Sequence, residues 1–428
     1  MIYTPDWESI NSRPVPVWFS DAKFGIFIHW GLYSVPGFTK KGDYAEWYGK
    51  QLEEKRPEVT AFHNRVYGEN FRYDDFVNLF KAELFDADEW ASLFERSGAK
   101  YINFVSKHHD GFCMYKSEYA KGRNSFDVGP HRDFCEELKR ALKKTGVRFG
   151  VYHSVYEWYN PIYLQNPEKY ALEYLHPMLK ELITKYEPST LFTDGEWAQN
   201  SSVWHSTEFL AWLYNESPVK DFIVPNDRWG SETRGHLGGN FTTEYGEIEP
   251  GKKITDITLD RPFEECRGIG RSFGINRIET TADYMTAKDL IITLCDLVSK
   301  GGNFLLNVGP SADGTIPVIL QERLEQIGRW LSVNGEAIYG TRVYDKRTQN
   351  GVFYTKKGDK IYAILTSFPF DDIKLSLVPY SPGMKARFLC CSAPILVCSD
   401  NGTAVLSFPR INPDDMNCSY LYAIEITK

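Results

Sequence analysis

Short apolar segments alternate with helix-like segments over roughly 300 residues of this chain, which limits the possible folds more than any other feature. The apolar segments include Phe24–Gly31, Lys100–Ser106 and Val147–His153. Between two of them, Asp133–Lys144 has apolar residues one helical turn apart. The apolar runs are too continuous for half-exposed strands, which favours a parallel sheet covered on both faces. We therefore predict an α/β fold, a (β/α)8-type barrel, over residues 1–340.

Two parts of the chain depart from this alternation. Residues 231–282 are rich in Gly, Thr and charged residues and lose the helical periodicity, so we expect this sector of the barrel to be irregular. After Gly340 the sequence changes to short β-branched runs, such as Lys360–Leu365, that are separated by turn sequences. We predict that residues 341–428 form a small C-terminal antiparallel β-sandwich, which packs on the barrel and contributes few if any residues to the active site.

Composition and charge exclude several classes of function. The formal net charge of −8 argues against nucleic acid and anionic membranes as partners. No segment approaches the ~18 consecutive apolar residues of a membrane-spanning helix, and the 8 cysteines predict no disulfide framework. The N-terminal residues do not resemble a signal peptide, so a cytoplasmic location is the default. A secreted, periplasmic or lysosomal protein whose leader had been removed would look the same, and the sequence leaves a homo-oligomer open.

Polar and aromatic residues collect where the predicted strands end. The carboxyl ends of parallel strands meet at one edge of the sheet, where α/β folds place their chemistry. In Leu191–Trp197 a strand ends in Asp194, and Gly195 permits a sharp turn directly after it. Glu196 and Trp197 add a second carboxylate and an apolar plate of the kind that stacks on sugars. The other strand ends provide His29, His108, His109, Arg228 and either Tyr152 or His153, of which only one should face inward.

One interpretation of these histidines is a metal-dependent hydrolase that uses His29, His108 and His109. Adjacent histidines at an extended strand end point to opposite sides, so both can bind one ion only if the backbone bends. The sequence contains no HxH or HExxH spacing, which argues against a metal site.

Glycoside hydrolysis is the second interpretation, and it requires two carboxylates on either side of an anomeric carbon. Asp194 provides the first, while Glu244 and Glu264 are candidates for the second. Glu264 lies in a charged stretch where guanidinium groups would lower its pKa, whereas Glu244 lies among uncharged residues that suit a proton donor. We therefore favour Glu244 as the acid/base, with Glu264 as the alternative and Glu46 third. A sugar-binding barrel that has lost its activity is a further alternative, against which the presence of Asp194 and Glu244 weighs.

Several rare motifs occur in an order that resembles the α-L-fucosidases of glycoside hydrolase family 29, from Trp18 to about Gly340, and is closest to the animal lysosomal-type branch. The matching motifs are Lys23–Gly31, Glu46–Tyr48, Lys107–Phe112, Tyr152–Ser154, Thr193–Trp197, Asn226–Gly230 and Arg267–Gly274. The resemblance implies a retaining exo-hydrolase that removes terminal α-L-fucose from oligosaccharides or glycoconjugates without a cofactor, with Asp194 as the nucleophile.

The resemblance also assigns the residues of the fucose pocket. It implies that the pocket is lined by His29, Glu46, Trp47, His108, His109, Tyr152, Phe192, Arg228 and Phe273. The family often has Trp at the position of Phe192, so an indole hydrogen bond is absent here. The family motif Thr-x-Glu-Tyr also favours Glu244 as the acid/base.

Overall fold

The computed structural model of the protein describes residues 2–235, 237–243, 262–345 and 347–428. Its first sheet consists of β1 (Phe24–Ile28), β2 (Tyr101–Lys107), β3 (Val151–Ser154), β4 (Thr190–Asp194), β5 (Val224–Pro225), β6 (Glu264–Gly268) and β7 (Asn303–Val308). The seven strands are parallel and curl in the order β5-β4-β3-β2-β1-β7-β6. Strands β1 and β2 are buried along their whole length, as predicted for a sheet covered on both faces.

A two-residue segment connects the open edges of this sheet, β5 and β6. Asn226, directly after β5, forms a parallel bridge with Phe241, and Thr242 forms one with Phe263. The backbone N–H of Glu264 donates to the carbonyl oxygen of Thr242 at 3.0 Å. The irregular sector therefore completes the curled sheet, and the predicted (β/α)8-type architecture is confirmed.

The helices of the described residues lie mainly between the strands. In chain order they are α1 (Trp7–Asn11), α2 (Val17–Ala22), α3 (Tyr48–Glu53), α4 (Pro57–Val66), α5 (Ala87–Arg96), α6 (Phe134–Leu142), α7 (Pro161–Gln165), α8 (Pro167–Tyr170), α9 (His176–Tyr186), α10 (Ser206–Asn215), α11 (Ala287–Ser299) and α12 (Val318–Asn334). A π-helical turn, Ala171–Leu175, joins α8 to α9. Among the described residues, no helix is long and apolar enough to cross a membrane.

Local sequence signals explain where these helices begin. Asp86 caps α5 by accepting hydrogen bonds from the backbone N–H groups of Asp88 and Glu89 at 2.9 and 3.1 Å. Trp90, Leu93 and Phe94 then repeat at helical spacing, and all of them are buried. The helix therefore packs one apolar face against the barrel.

The inside of the barrel holds a separate aromatic cluster. The ring of Phe27 lies 5.7 Å from that of Tyr152 and 5.0 Å from that of Phe192. Tyr152 and Phe192 are register partners on β3 and β4, so their rings lie side by side. His153, the next residue, points to the other face of β3, where its Nδ1 lies 3.0 Å from Ser106 Oγ. Tyr152 is thus the neighbour that faces inward.

A second, antiparallel sheet follows the barrel. It consists of β8 (Arg342–Val343), β9 (Val352–Lys357), β10 (Lys360–Leu365), β11 (Ile373–Pro379), β12 (Lys385–Phe388), β13 (Pro394–Asp400), β14 (Thr403–Ser407) and β15 (Tyr422–Thr427). The strand order is β11-β14-β13-β12-β15-β10-β9-β8. Its buried side chains form a core of their own, but Tyr362, Ile364 and Ala423 belong to the core of the barrel. Trp330 of α12 also donates its indole N–H to the carbonyl oxygen of Leu421 at 2.8 Å.

Candidate active site

Asp194 is the last residue of β4 and lies at the carboxyl end of the barrel. The Arg228 guanidinium donates through Nη1 to Oδ1, and the Tyr152 hydroxyl donates to Oδ2 at 2.8 Å. His109 Nε2 lies 3.5 Å from the same Oδ2. Burial opposes ionisation, but Arg228, His109 and Tyr152 outweigh it and lower the pKa of Asp194. Asp194 is therefore a carboxylate at neutral pH, fixed by groups on two neighbouring elements.

Gly195 is required by the turn that follows Asp194. Its φ is 84°, in the left-handed region that favours glycine. A Cβ atom at this position would lie 2.7 Å from the Cβ of Tyr156 and 3.3 Å from the His109 ring. The Asp-Gly pair thus lets the chain turn away while the carboxylate stays in the pocket.

His29, after β1, is held as a neutral imidazole in one orientation. Asn307 donates from Nδ2 to the carbonyl oxygen of Phe273 at 2.7 Å, which directs its Oδ1 toward His29. His29 Nδ1 lies 2.7 Å from this Oδ1 and therefore carries the proton. Burial lowers the pKa of His29 to about 4, although Asn307 raises it. Nε2 is consequently an acceptor at neutral pH.

Ser154 orients the neutral imidazole of His109 in a similar way. The Ser154 hydroxyl donates to the carbonyl oxygen of Tyr156 at 2.6 Å, so its oxygen accepts from His109 Nδ1, also at 2.6 Å. Burial lowers the pKa of His109 to about 4, despite the nearby charge of Asp194. His109 Nε2 and Asp194 Oδ2 are then two acceptors 3.5 Å apart. A ligand hydroxyl that donates to His109 Nε2 would give this nitrogen a partner next to Asp194.

Three buried polar atoms nearby have no hydrogen-bond partner among the described residues. They are His108 Nδ1, Tyr33 Oη and Trp158 Nε1. The His108 ring lies 5.4 Å from the ring of Tyr33, 6.2 Å from that of Trp158 and stacks on Tyr152 at 5.6 Å. Each unpaired buried group costs about 1–3 kcal/mol.

Glu46 is almost completely buried. Its Oε2 accepts hydrogen bonds from the backbone N–H of Gly274 at 2.8 Å and from Ser272 Oγ at 3.4 Å. Burial raises the pKa of Glu46 to about 7, more than these hydrogen bonds lower it. Between its two partners lies Phe273, whose ring is 5.0 Å from that of His29.

The remaining predicted pocket residues join the same group. Trp47 lies 5.3 Å from the His109 ring, measured between ring centres. The Arg228 guanidinium lies 5.4 Å from the centre of the Phe192 ring. The nine residues that the resemblance assigned to the pocket therefore all lie around Asp194 or one another: His29, Glu46, Trp47, His108, His109, Tyr152, Phe192, Arg228 and Phe273.

One family accounts for the similarity of this chain to known proteins. The family model described as Alpha-L-fucosidase matches residues 1–336. The chain belongs to the alpha-L-fucosidase family. It is 42% identical to the Alpha-L-fucosidase of Dictyostelium discoideum, over 99% of this chain and 95% of that protein. It is 40% identical to the Tissue alpha-L-fucosidase of Bos taurus, over 99% of this chain and 91% of that protein.

Solved structures of the alpha-L-fucosidase family have the same fold. The Thermotoga maritima alpha-fucosidase in complex with a mechanism-based inhibitor gives a TM-score of 0.85 at 36% identity and covers 100% of both chains. The complex of the same protein with fucose gives a TM-score of 0.84 at 36% identity and covers 99% of this chain and 100% of that chain. The predicted family is confirmed, and the protein is a glycoside hydrolase that releases fucose. Nothing in these similarities supports the expected cytoplasmic location.

Glu264, the alternative acid of this fucosidase, lies at the wrong end of the barrel. It is the first residue of β6, and its Oε2 accepts a hydrogen bond from Tyr101, the first residue of β2. Asp194 is at the carboxyl end of β4, so the barrel separates the two carboxyl groups. Burial raises the pKa of Glu264 to about 8, whereas the sequence had predicted a lowered value. Arg267, the expected neighbour, pairs with Glu265 at 3.0 Å instead.

Glu244, the predicted acid/base of this fucosidase, lies outside the described residues. Its neighbour in the chain, Thr243, is described. Thr243 Oγ1 accepts a hydrogen bond from Arg228 Nε at 2.7 Å, and Arg228 also contacts Asp194. The chain immediately before Glu244 therefore reaches the group that holds the carboxylate of Asp194.

The metal-dependent alternative is not favoured by the arrangement of the histidines. The backbone bends after β2 and brings the ring centres of His108 and His109 within 4.3 Å. The Nδ1 atoms of His29 and His109 have protein partners, so only their Nε2 atoms are left to face a ligand. Among the described residues, no three His, Cys, Asp or Glu side chains form a group that could hold a metal ion.

Some residues of the site were not predicted from the sequence. Asn307 and Ser154 orient the two histidines, and both are polar residues at the ends of apolar strands, which is a signal that could have identified them. Arg234 pairs with Glu196 and lies 3.8 Å from Asp194 Oδ1. No pattern in the sequence predicts Arg234, because the irregular loop after Arg228 decides where it lies.

Proposed function

We propose that the protein is a retaining exo-α-L-fucosidase that acts by double displacement through a covalent fucosyl ester of Asp194. The observation that carries this proposal is the state of Asp194, an ionised carboxylate that Arg228 and Tyr152 hold in place beside the neutral imidazoles of His29 and His109. A retaining glycosidase needs such a nucleophile together with a separate proton donor.

The pocket walls fit the chemistry of fucose. Fucose has an axial hydroxyl group, and it has a methyl group where galactose has a hydroxymethyl group. The neutral imidazoles of His29 and His109 can accept hydrogen bonds from hydroxyl groups, and Glu46 can accept or donate one. The aromatic rings of Phe192 and Phe273 can enclose the methyl group. A hydroxyl added there would be buried without a partner, which would disfavour galactose.

In the first step an oxygen of Asp194 attacks the anomeric carbon as the bond to the leaving oxygen breaks, and the acid gives that oxygen its proton. In the second step the residue that acted as the acid now acts as a base and removes a proton from water. The water oxygen attacks the anomeric carbon and releases Asp194 as a carboxylate. Each step inverts the configuration, so the product retains it. Arg228 and Tyr152 hold Asp194 in line and stabilise the carboxylate when it leaves. No step uses a metal ion or cofactor.

We assign the acid/base role to Glu244. The hydrogen bond between Thr243 and Arg228 supports this assignment, because it ties the preceding residue to the nucleophile. Glu46 is the second candidate, since its pKa of about 7 suits a proton donor at neutral pH. Its two hydrogen bonds to the loop around Phe273 favour a substrate-binding role instead.

The proposal is tested with aryl α-L-fucosides, aryl galactosides and aryl phosphate esters, followed by NMR of the first sugar released. We expect hydrolysis of the fucosides with α-fucose as the first product, and full activity after exhaustive treatment with a chelator. A β-fucose product would mean an inverting enzyme. Loss of activity that one metal restores would favour the metal-dependent hydrolase. Binding of fucose without release would indicate an inactive sugar-binding barrel.

A further inference from the structure

We infer that Trp197 and Arg234 form the binding site for the sugar to which fucose is attached, the first residue of the leaving group. This inference rests on the proposed fucosidase activity. It adds a statement about the leaving group, which we infer to begin with a neutral pyranose.

Trp197 differs from the other aromatic residues near Asp194 because it is exposed. Its exposed fraction is 41%, whereas those of Tyr152 and Phe192 are 1% and 2%. The Trp197 ring lies 5.5 Å from the ring of His109, which itself contacts Asp194. Trp197 therefore continues the wall of the pocket outward, in the direction that a leaving group must take.

The Trp197 ring is held in place by its neighbours. The Trp47 ring lies 6.4 Å away and is nearly parallel, with 19° between the planes. Tyr156 approaches edge-on at 6.2 Å. A large apolar ring that is fixed yet exposed is a feature of binding surfaces, since a flexible side chain would lose more entropy when a ligand covers it.

Arg234 lies over this ring and brings hydrogen-bond donors to it. Its Nε donates to Glu196 Oε1, and the Glu196 side chain is buried. Trp204 Nε1 donates to the backbone carbonyl oxygen of Glu196 at 3.1 Å and so holds Glu196 in place. The guanidinium carbon of Arg234 lies 5.5 Å from the centre of the Trp197 ring. Its side chain is 29% exposed.

A flat apolar ring next to oriented N–H donors matches one class of ligand. A pyranose presents C–H groups on one face, which can cover an indole, and hydroxyl or N-acetyl oxygens at its edge, which can accept from a guanidinium. A lipid chain would need a longer apolar surface, and a cationic peptide would be repelled by Arg234. The observations therefore favour a neutral sugar such as galactose or N-acetylglucosamine.

The test compares two substrates that share fucose but differ in the leaving group. One is α-L-fucosyl fluoride, whose leaving group has no ring, and the other is the disaccharide fucosyl-α1,2-galactose. For Trp197→Ala, kcat/KM should fall roughly tenfold more for the disaccharide than for the fluoride, the effect of one lost stacking contact. Trp197→Phe keeps a ring and should restore most of the disaccharide activity.

Phe370→Ala is the matched control, because Phe370 is an exposed aromatic residue of the C-terminal sheet region and is 90% exposed. This variant should leave kcat/KM unchanged for both the fluoride and the disaccharide. Thermal unfolding should show that all variants are folded. Equal losses on both substrates would place Trp197 in the fucose pocket and overturn the inference. Unaltered disaccharide hydrolysis by Trp197→Ala would overturn it as well. If the wild-type protein cleaves neither substrate, the proposed function itself has failed.

Discussion

The hydroxyl of Tyr152 donates a hydrogen bond of 2.8 Å to Oδ2 of Asp194, from the strand next to the one that ends in the carboxylate. Tyr152 is paired in register with Phe192, two residues before Asp194, so its long side chain reaches along the barrel axis. The contact is one of four interactions that lower the pKa of Asp194 against the effect of burial. It therefore connects the interior of the barrel to the reactivity of the site.

Replacement of Tyr152 by Phe should raise the pKa of Asp194, because the ionised form loses a hydrogen-bond donor. The acidic limb of the pH profile of kcat/KM should then move to higher pH. We expect kcat/KM to fall by roughly 10- to 100-fold, the value of a hydrogen bond to a charged group. The measurement is kcat/KM for an aryl α-L-fucoside across the acidic range.

Tyr101→Phe is the control for this experiment, because Tyr101 lies at the opposite end of the same barrel interior. It should leave the acidic limb where it is. If Tyr152→Phe also leaves the limb in place, Tyr152 does not govern the ionisation of the nucleophile.

The stereochemistry of azide rescue separates the roles of Asp194 and Glu244. Asp194→Gly should lower kcat by at least about 10³-fold, and azide should enter the anomeric carbon directly to give β-fucosyl azide. Glu244→Ala should still form the covalent ester with an activated aryl fucoside, and azide should displace it to give α-fucosyl azide. NMR of the azide products provides the measurement.

Glu46→Ala is the comparison that decides between the two candidates for the acid. We expect it to weaken fucose binding without yielding the α-azide. If Glu46→Ala gives the α-azide while Glu244→Ala retains activity on poor leaving groups, Glu46 is the acid and Asp194 remains the nucleophile.

Glu264→Gln should change the pH dependence of stability and not the chemistry. Burial raises the pKa of Glu264 from its ordinary value of 4.5 to about 8. The stability from the protonated form is therefore complete below pH 4.5 and is lost as the pH rises through 8. Gln stays neutral at every pH. Between pH 4.5 and 8 the free energy of unfolding of the variant should therefore fall by up to about 1.4 kcal/mol less per pH unit than that of the wild type.

Urea unfolding at several pH values measures this difference, and kcat/KM of Glu264→Gln should stay close to that of the wild type. Identical pH dependence of unfolding in the two proteins would contradict the raised pKa. A large loss of kcat/KM with unchanged stability would return Glu264 to the list of catalytic candidates.

Removal of residues 341–428 should leave an unstable or insoluble barrel. The truncation removes Tyr362, Ile364 and Ala423 from the barrel core and leaves the indole N–H of Trp330 without its acceptor. Expression of residues 1–340 and thermal unfolding of any soluble protein test this expectation. A stable truncated protein with an altered linkage preference would instead make the second region a substrate-selecting module.

The regular part of the barrel was predictable because local signals agree there. Asp86 begins a helix, the apolar run at Phe24–Ile28 forms a buried strand, and Asp194-Gly195 forms a turn at a strand end. In contrast, β6 has the sequence Glu-Glu-Cys-Arg-Gly and carries no strand signal of its own. Its pairing with β7 holds it in the sheet, and such a long-range contact cannot be recognised in the local sequence.

The error at Glu264 has the same origin. The guanidinium groups of Arg267 and Arg271, close to Glu264 in the sequence, predicted a lowered pKa, but alternate residues of a strand point to opposite faces. Glu264 faces the barrel interior, while Glu265 and Arg267 share the outer face and pair there. Proximity in the sequence was therefore a poor guide to electrostatic contact.

The sequence by itself determined the barrel, the family motifs and the polar and aromatic residues that gather around Asp194, because strand ends, helix caps and the Asp-Gly turn are local features. Only the tertiary structure decided that Tyr152 and not His153 faces Asp194, that Asn307 and Ser154 fix the imidazoles, and that Arg234 joins the site. The physical reason is that the direction of a side chain and the pKa of a buried group depend on neighbours that are distant in the chain.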